Sequence, residues 1–163
     1  MKILIVYVTK YGCTEKAVNR LADCLGPEVE LLNLGNKDNK NISLKNYDVV
    51  IAGGSIYAGN IQKEVKQFCS ENIYTLLQKQ LGLFICCGFS EKAEEQLKNS
   101  FANKLLEHAA VTGYFGYEFK FDQMNFVESF MVKTMAKVKE NKSDIKEEKI
   151  NEFAEQFKRS DCI

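Results

Sequence analysis

The stretch that most constrains this chain lies between an apolar run and an amphipathic helix near the amino terminus. Ile3–Val8 predicts a buried strand, and Glu15–Leu25 predicts a helix. The turn that joins them consists of Thr9, Lys10, Tyr11, Gly12, Cys13 and Thr14. The first amides of a helix have no intrahelical acceptor and the helix dipole there favours an anion, while glycine lets a ligand approach the backbone closely. The turn therefore predicts a phosphate site, and the alternative is a plain strand-to-helix turn capped by Thr14.

The composition indicates a globular protein and argues against two classes of partner. Of 163 residues, 45% are hydrophobic and 27% are charged, and the formal net charge is +0. This length predicts one domain over residues 1–163, and the charge balance gives no support to nucleic-acid binding. No apolar run approaches the roughly 20 residues that span a bilayer, and the amino-terminal run lacks the cleavage site of a secretory signal. We therefore predict no transmembrane segment and a cytoplasmic location.

The six cysteines do not follow a metal-binding pattern. They lie at positions 13, 24, 69, 86, 87 and 162 without a C-x-x-C pair, and His108 is the only histidine of the chain. We predict no metal site, and we interpret the cysteines between positions 24 and 87 as small buried side chains. Cys13 lies at a helix N-terminus, where the pKa of a thiol is lowered. We interpret Cys13 as a loop residue that lends its backbone amide to a ligand rather than as a nucleophile.

Apolar patterns divide the rest of the chain into strands and helices. The predicted strands cover residues 2–8, 29–34, 47–52, 81–87 and 111–121. The predicted helices cover 15–25, a short segment within 42–46, a helix whose apolar face is Ile61, Val65, Phe68 and Cys69, then 91–109, 125–139 and a last helix to about Lys158. Residues 141–144 predict a turn. Because strands separated by helices pair in parallel through right-handed crossovers, we predict an α/β, doubly wound five-stranded parallel sheet with helices on both faces.

Three loops would meet at one edge of such a sheet. With the strand order 2-1-3-4-5, the carboxyl ends of strands one, three and four are neighbours, and ligands bind at that edge. The loops there are residues 9–14, 53–60 and 87–91. The first is the predicted phosphate site, and the other two combine glycine with an aromatic residue, Tyr57 and Phe89. A phosphate site flanked by planar side chains suits a flat heterocycle with a phosphate tail, which is the outline of FMN.

On these loops the chain resembles the flavodoxin-like family over its whole length. The resemblance rests on T-K-Y-G-C-T at 9–14 and on G-G-S-I-Y-A-G at 53–59. Within that family the chain is most similar to the branch that contains menaquinone-dependent protoporphyrinogen oxidase. The motifs that suggest this branch are Y-x-T-K-Y-G-x-T-E-K at 7–16, S-I-Y-A-G at 55–59 and F-x-x-x-F-M-V-K-x-M-x-K at 126–137.

The resemblance implies that the chain holds FMN non-covalently. The backbone amides of loop 9–14, with the hydroxyls of Thr9 and Thr14, would wrap the phosphate, Tyr57 would stack on the isoalloxazine, and loop 87–90 would lie along its pyrimidine side. The flavodoxin pattern has Thr or Ser where this chain has Tyr11. We interpret Tyr11 as a ring that covers the loop, and the alternative is that its hydroxyl reaches out to make a contact. The expected cofactor-binding residues are Thr9, Lys10, Tyr11, Gly12, Cys13, Thr14, Ser55, Ile56, Tyr57, Ala58, Gly59, Cys87, Gly88, Phe89 and Ser90.

The second of these loops carries no acidic residue. Ser55–Asn60 is free of Asp and Glu, and Lys63 follows. In classical flavodoxins many carboxylates surround the flavin ring and lower the potential at which it becomes fully reduced; protein groups tune the cofactor in this way. We therefore predict a less negative potential here, which suits two-electron chemistry better than electron delivery to a low-potential partner.

Three functional hypotheses remain open. The first is an FMN redox protein that passes electrons to a partner protein or to a small-molecule or quinone acceptor. The second is a quinone-linked FMN oxidoreductase of the protoporphyrinogen oxidase type, although a plain helix at 91–109 stands where that branch is expected to have a longer basic loop. The third is a flavin-free binding or signalling module of the same fold. No general acid or base presents itself, so no catalytic residue is assigned.

The helix predicted at 125–139 is apolar along one side. That side consists of Phe126, Val127, Phe130, Met131, Met135 and Val138, and lysines are scattered over the remainder. We predict that this side packs on the sheet, because a doubly wound sheet must be covered on that face. The alternative is a helix that lies on a membrane surface.

Overall fold

The computed structural model describes residues 1–36 and 42–160, apart from the side chain of Ser160, so Cys162 lies outside the described residues. The strands are β1 (Ile3–Val8), β2 (Val29–Asn33), β3 (Val49–Tyr57), β4 (Asn60–Ile61), β5 (Gln80–Cys86), β6 (Val111–Tyr114), β7 (Gly116–Phe119) and β8 (Lys142–Ile145). The α-helices are α1 (Cys13–Leu25), α2 (Lys63–Glu71), α3 (Ile73–Leu76), α4 (Ala93–Ser100), α5 (Asn103–His108), α6 (Phe126–Met135) and α7 (Glu147–Ser160). Short 3-10 turns cover Leu44–Asn46, within the segment predicted as a short helix, and Ser90–Lys92.

The central sheet confirms the predicted strand order. Its parallel strands run β2-β1-β3-β5-β6, and the two-residue β4 pairs antiparallel with the end of β3 as an unpredicted addition. In the middle of the sheet, Ile5 of β1 pairs with Leu31 on one side and with Ile51 on the other. The inner strands β1, β3 and β5 are buried at almost every position because helices cover both faces of a parallel sheet.

Each face of the sheet has its own hydrophobic core. On one face, Val65, Leu76 and Leu105 from α2, α3 and α5 pack with alternate residues of the strands. On the other face, α1 and α7 pack together, with Leu21 and Phe153 in the same core. The predicted burial of Ile150, Phe153 and Phe157 in the last helix is confirmed.

The predicted long strand at 111–121 is wrong, because the chain leaves the sheet after Tyr114. Phe115 is fully buried and stacks on Phe84 with ring centroids 4.8 Å apart. Gly116 then takes φ 86, a left-handed conformation that favours glycine. β7 continues in a new direction and pairs antiparallel with β8. The turn predicted at 141–144 is therefore also wrong, since most of it belongs to β8.

The predicted helix at 91–109 is two helices. α4 ends at Ser100, whose hydroxyl donates to the Gln96 carbonyl at 2.6 Å, and Phe101 follows in an extended conformation with its ring buried. A hydroxyl that bonds back to the preceding turn competes with helix continuation. Ser90 does not cap a helix through its side chain, because it lies within the 3-10 turn that precedes α4.

The prediction that helix 125–139 packs on the sheet is also wrong. α6 ends at Met135, and Phe126, Val127, Phe130 and Met135 of the predicted buried side are exposed. No residue of α6 belongs to either core described above. The sheet face that it was expected to cover is covered by α7, which leaves α6 free to lie over the carboxyl edge of the sheet.

Candidate functional site

A cavity of about 760 Å³ opens at the carboxyl edge of β1, β3 and β5, where the three predicted loops meet. Of the predicted site residues, those that line the cavity are Lys10, Tyr11, Cys13, Ser55, Ile56, Tyr57, Ala58, Gly59, Cys87, Gly88 and Phe89. The structure thus brings together most of the predicted residues. Thr9, Gly12, Thr14 and Ser90 are not part of the lining.

The first loop is shaped by its own hydroxyl and glycine. The Gly12 amide donates to Thr9 Oγ1 at 3.0 Å, and Gly12 adopts φ 88 immediately before α1 begins at Cys13. No side chain caps the N-terminus of α1, so Thr14 does not have the capping role of the alternative prediction. The leading amides of α1 are thereby left without an intrahelical or side-chain acceptor, which is the arrangement that binds anions.

Thr14 connects the first loop to the second. Its side chain is fully buried, and its hydroxyl lies 2.7 Å from Ser55 Oγ. The Ser55 amide in turn donates to Gln62 Oε1 at 2.9 Å. Thr14 and Ser55 therefore hold the two loops at a fixed separation behind the cavity wall.

The second loop is a hairpin rather than an open loop. β3 continues through both glycines, Gly53 and Gly54, to Tyr57, and the chain then returns as β4. Ala58 and Gly59 form the two-residue connection with φ 48 and φ 77, as in the hairpin turns that match strand twist. Ile56 packs against the core, whereas the Tyr57 ring is left exposed at the rim of the cavity.

The third loop is closed by β7. Gly88 lies so near the Phe119 ring that an added Cβ would be 2.3 Å from that ring. Tyr117 and Phe119 contact each other with centroids 4.8 Å apart and line the cavity with Phe89. The turn at Gly116 is thus what places two aromatic side chains in the site, and sequence reasoning missed both because it kept them on a straight strand.

The most distinctive group of the site is Glu128 on α6, which sequence reasoning also missed. Its side chain is buried, and its carboxylate accepts hydrogen bonds from Lys10 Nζ and from the hydroxyl groups of Tyr11 and Tyr57, the last at 2.9 Å. It also completes a reciprocal cap with Asn125, whose side chain accepts from the Glu128 amide at 2.9 Å. The pattern Asn-x-x-Glu before an apolar run is the sequence signal that would have marked this helix start.

These contacts keep the carboxylate charged. Burial alone would raise the pKa of Glu128, but the hydrogen bonds from Lys10, Tyr11 and Tyr57 outweigh burial and lower it to about 2. Burial and the same carboxylate raise the pKa of Tyr57. Tyr11 therefore reaches out through its hydroxyl instead of only covering the loop, and Glu128 fastens α6 across the first and second loops.

The inner side of α6 gives the cavity an apolar roof. Met131, Val132 and Met135 line it, together with Met124 from the segment before the helix. Methionine adapts to irregular apolar shapes. The site therefore has a polar end, where α1 begins, and an apolar end beneath α6.

The acidic residues of the cavity lining are accompanied by lysines. Glu118 of β7 lies 2.7 Å from Lys16 Nζ and 3.5 Å from Lys120 Nζ, and Glu128 is paired with Lys10. The third acidic residue that lines the cavity is Glu64, and Lys63 and Lys92 also line it. The cavity is therefore not surrounded by an excess of negative charge, in agreement with the acid-free loop from Ser55 to Asn60.

Two buried thiols lie behind the first loop. The hydrogen bond between the two thiols lowers the pKa of Cys13, although the burial of Cys13 opposes this. The same contact and burial raise the pKa of Cys86. Cys69 and Cys87 are buried as predicted, and Cys24 is half-buried. In the described part of the chain no cluster of His, Cys, Asp and Glu side chains is placed to hold a metal ion.

The fold agrees with what is found when the chain is compared with known proteins. A family model described as a flavodoxin domain matches residues 4–146, so the chain belongs to the flavodoxin domain family. Comparison with curated proteins gave no significant match.

Solved structures show the same fold at low sequence identity. Flavodoxin 1 from Bacillus cereus is 13% identical with a TM-score of 0.55, and 98% of each chain is covered. A mutant flavodoxin of Fusobacterium nucleatum, bound to flavin mononucleotide, is 14% identical with a TM-score of 0.55, covering 98% of this chain and 96% of that one. The rubredoxin oxygen:oxidoreductase of Desulfovibrio gigas is 19% identical with a TM-score of 0.56; the match covers 99% of this chain, which spans 37% of the length of that enzyme.

The protoporphyrinogen oxidase branch suggested by the sequence motifs finds no support among these matches.

None of the helices in residues 1–36 and 42–160 has both the length and the apolar character of a transmembrane span.

Proposed function

We propose that this chain is an FMN-binding redox protein that takes up and passes on electrons through a non-covalent flavin. The observation that carries the proposal is the uncapped N-terminus of α1, which meets the cavity where the three loops converge. Bound FMN would supply the electron transfer, and the chain's own residues would hold and shield it. Membership of the flavodoxin domain family and the FMN-bound flavodoxin of Fusobacterium nucleatum support this choice of cofactor.

The residues present fit such a ligand. At the polar end, the amides that begin α1 would receive the phosphate, and the left-handed Gly12 offers no side chain to obstruct it. Tyr57 and Phe89 flank the cavity from the second and third loops and would face the flat part of the ligand. Thr14 acts mainly by holding the loop in shape, because its hydroxyl bonds to that of Ser55. Thr9 accepts from the Gly12 amide and keeps its own hydroxyl proton, which it would donate to the phosphate.

Replacing Thr14 with valine should weaken FMN binding. The valine removes the hydroxyl that bonds to Ser55 and so loosens the first loop against the second. A lost hydrogen bond of about 1 kcal/mol corresponds to roughly a fivefold rise in Kd, which a fluorescence titration with FMN would measure. The matched control is Thr14→Ser, which retains the hydroxyl. Equal affinity of the valine variant and the wild type would show that the backbone amides hold the phosphate without this link.

The potential of the bound flavin is expected to be less negative than that of an acidic flavodoxin. The cavity carboxylates of Glu118 and Glu128 are each paired with lysine, so little negative charge opposes full reduction of the flavin. A potentiometric titration of the FMN-loaded protein would measure the potentials of both reduction steps. Lys120→Gln should lower the potential relative to wild type by leaving Glu118 less neutralised. A second reduction step as low as that of an acidic flavodoxin would contradict this account.

A second candidate is an oxidoreductase that delivers electrons to a small apolar acceptor such as a quinone. The observation that favours it is the roof of Met131, Val132 and Met135, which would shield a flavin that a protein carrier leaves exposed at its edge. Mixing the anaerobically reduced, FMN-loaded protein with a water-soluble quinone or with oxidised cytochrome c discriminates between the two, because both acceptors have potentials high enough to take its electrons. Faster reoxidation by quinone favours the enzyme, and faster reoxidation by the protein acceptor favours the carrier. A chain that binds no FMN would instead be a flavin-free module.

A further inference from the structure

The outer side of α6 is an apolar surface that no other element covers. The side chains of Phe126, Val127 and Phe130 are 86%, 62% and 62% exposed. Burying apolar side chains of this size is favourable, and a helix that is apolar on both sides is normally buried. α6 is apolar inside, where it roofs the cavity, and outside, where it faces solvent.

The exposed side of α6 continues from phenylalanines to a lysine. Phe126, Phe130 and Lys133 follow one another at spacings of four and three residues, which places them along a single face of the helix. Lys137 follows two residues after the helix ends at Met135. Lys133 Nζ lies 5.5 Å from the centroid of the Phe121 ring, which extends the aromatic surface beyond the helix.

The charge of this surface is positive. Lys133, Lys137 and Lys139 are exposed, and no carboxylate in the described part of the chain lies within ion-pair distance of them. The acid within α6, Glu128, is buried beneath the helix and neutralised by Lys10. Exposed phenylalanines followed by unpaired lysines match the apolar interior and anionic headgroups of a lipid surface.

We propose that the outer side of α6 binds an anionic membrane surface, with Phe126, Val127 and Phe130 inserted at the headgroup boundary and Lys133, Lys137 and Lys139 against the headgroups. A second copy of the chain fits less well, because a two-fold interface would bring together two surfaces that each carry the same three exposed lysines. The proposal goes beyond the redox function and does not depend on bound FMN.

Co-sedimentation with lipid vesicles tests this interaction. The full chain should sediment with vesicles of phosphatidylcholine and phosphatidylglycerol but not with phosphatidylcholine alone, and high salt should release it. The double variant F126S/F130S should bind about tenfold more weakly or worse. The matched control is Tyr74→Ser, because Tyr74 is equally exposed, at 82%, but lies on α3. Circular dichroism of each variant shows whether it is folded.

Replacing the lysines provides an independent test of the same interaction. K133Q/K137Q should reduce binding to the anionic vesicles about tenfold while leaving the apolar side intact. Failure of the wild type to sediment with either vesicle, or undiminished binding by both double variants, overturns the proposal. A concentration-dependent dimer in analytical ultracentrifugation that F126S/F130S abolishes would assign the surface to a second copy instead.

Discussion

Replacing Glu128 with glutamine is expected to release α6 from the site. The neutral side chain loses the charge that accepts from Lys10, Tyr11 and Tyr57, and these contacts are what fasten the helix to the first two loops. A cost of about 2 kcal/mol, typical for hydrogen bonds to a charged group, corresponds to roughly a thirtyfold shift toward the open state. Amide hydrogen exchange over residues 126–135 should accelerate by that factor, while exchange in β1 and β5 should not change.

The control for this change is Glu94→Gln. Glu94 also pairs with a lysine, Lys98 at 2.7 Å, but both side chains are exposed on the surface of α4. Exposed pairs of this kind contribute little, so its exchange should match the wild type. If exchange of α6 in E128Q were no faster than in E94Q, the helix would be held by its apolar inner side and not by Glu128.

Replacing Gly116 with alanine should be the most destabilising single change predicted here. An added Cβ would lie 1.9 Å from the Asp144 carbonyl oxygen, and the residue would have to keep φ 86. A backbone clash combined with a left-handed conformation should cost about 3 kcal/mol or more, which lowers Tm by roughly 10 °C for a chain of this size. Thermal unfolding followed by circular dichroism measures the change.

Gly59→Ala separates the two causes. Gly59 also has a left-handed φ, 77, but an added Cβ there would meet nothing within 4 Å. It should lose only about 1 kcal/mol, the conformational part of the cost. Equal losses in the two variants would mean that the close approach of β8 to Gly116 does not matter, and that the turn between β6 and β7 is looser than described.

The features that could be predicted correctly from the sequence are those that a local pattern of residues determines. The apolar run of β1, the Gly12 turn and the amphipathic α1 are contiguous, and the inner strands β1, β3 and β5 are long and apolar enough to be recognised by themselves. Parallel pairing followed from general rules of chain connection, and the strand order was taken from a common arrangement of doubly wound sheets. For this reason the three loops could be placed at one edge before their side chains were seen.

The errors arose where a distant contact decides the structure. The alternating aromatic residues at 111–121 fit one strand, and only the packing of Phe115 against Phe84 and the approach of β8 explain the bend at Gly116. α6 is apolar on both sides, so its periodicity could not show which side is buried. Glu128 meets Lys10 across 118 positions of sequence, a distance over which no spacing argument reaches.

The central claim is that the cavity binds FMN with its phosphate at the start of α1. Titration of flavin-free protein with FMN and, separately, with riboflavin tests this claim most directly, with the quenching of flavin fluorescence as the readout. We predict saturation at one FMN per chain and distinctly weaker binding of riboflavin, because riboflavin lacks the phosphate. Equal affinity for the two flavins would contradict the placement of the phosphate, and the absence of quenching by either would contradict flavin binding altogether.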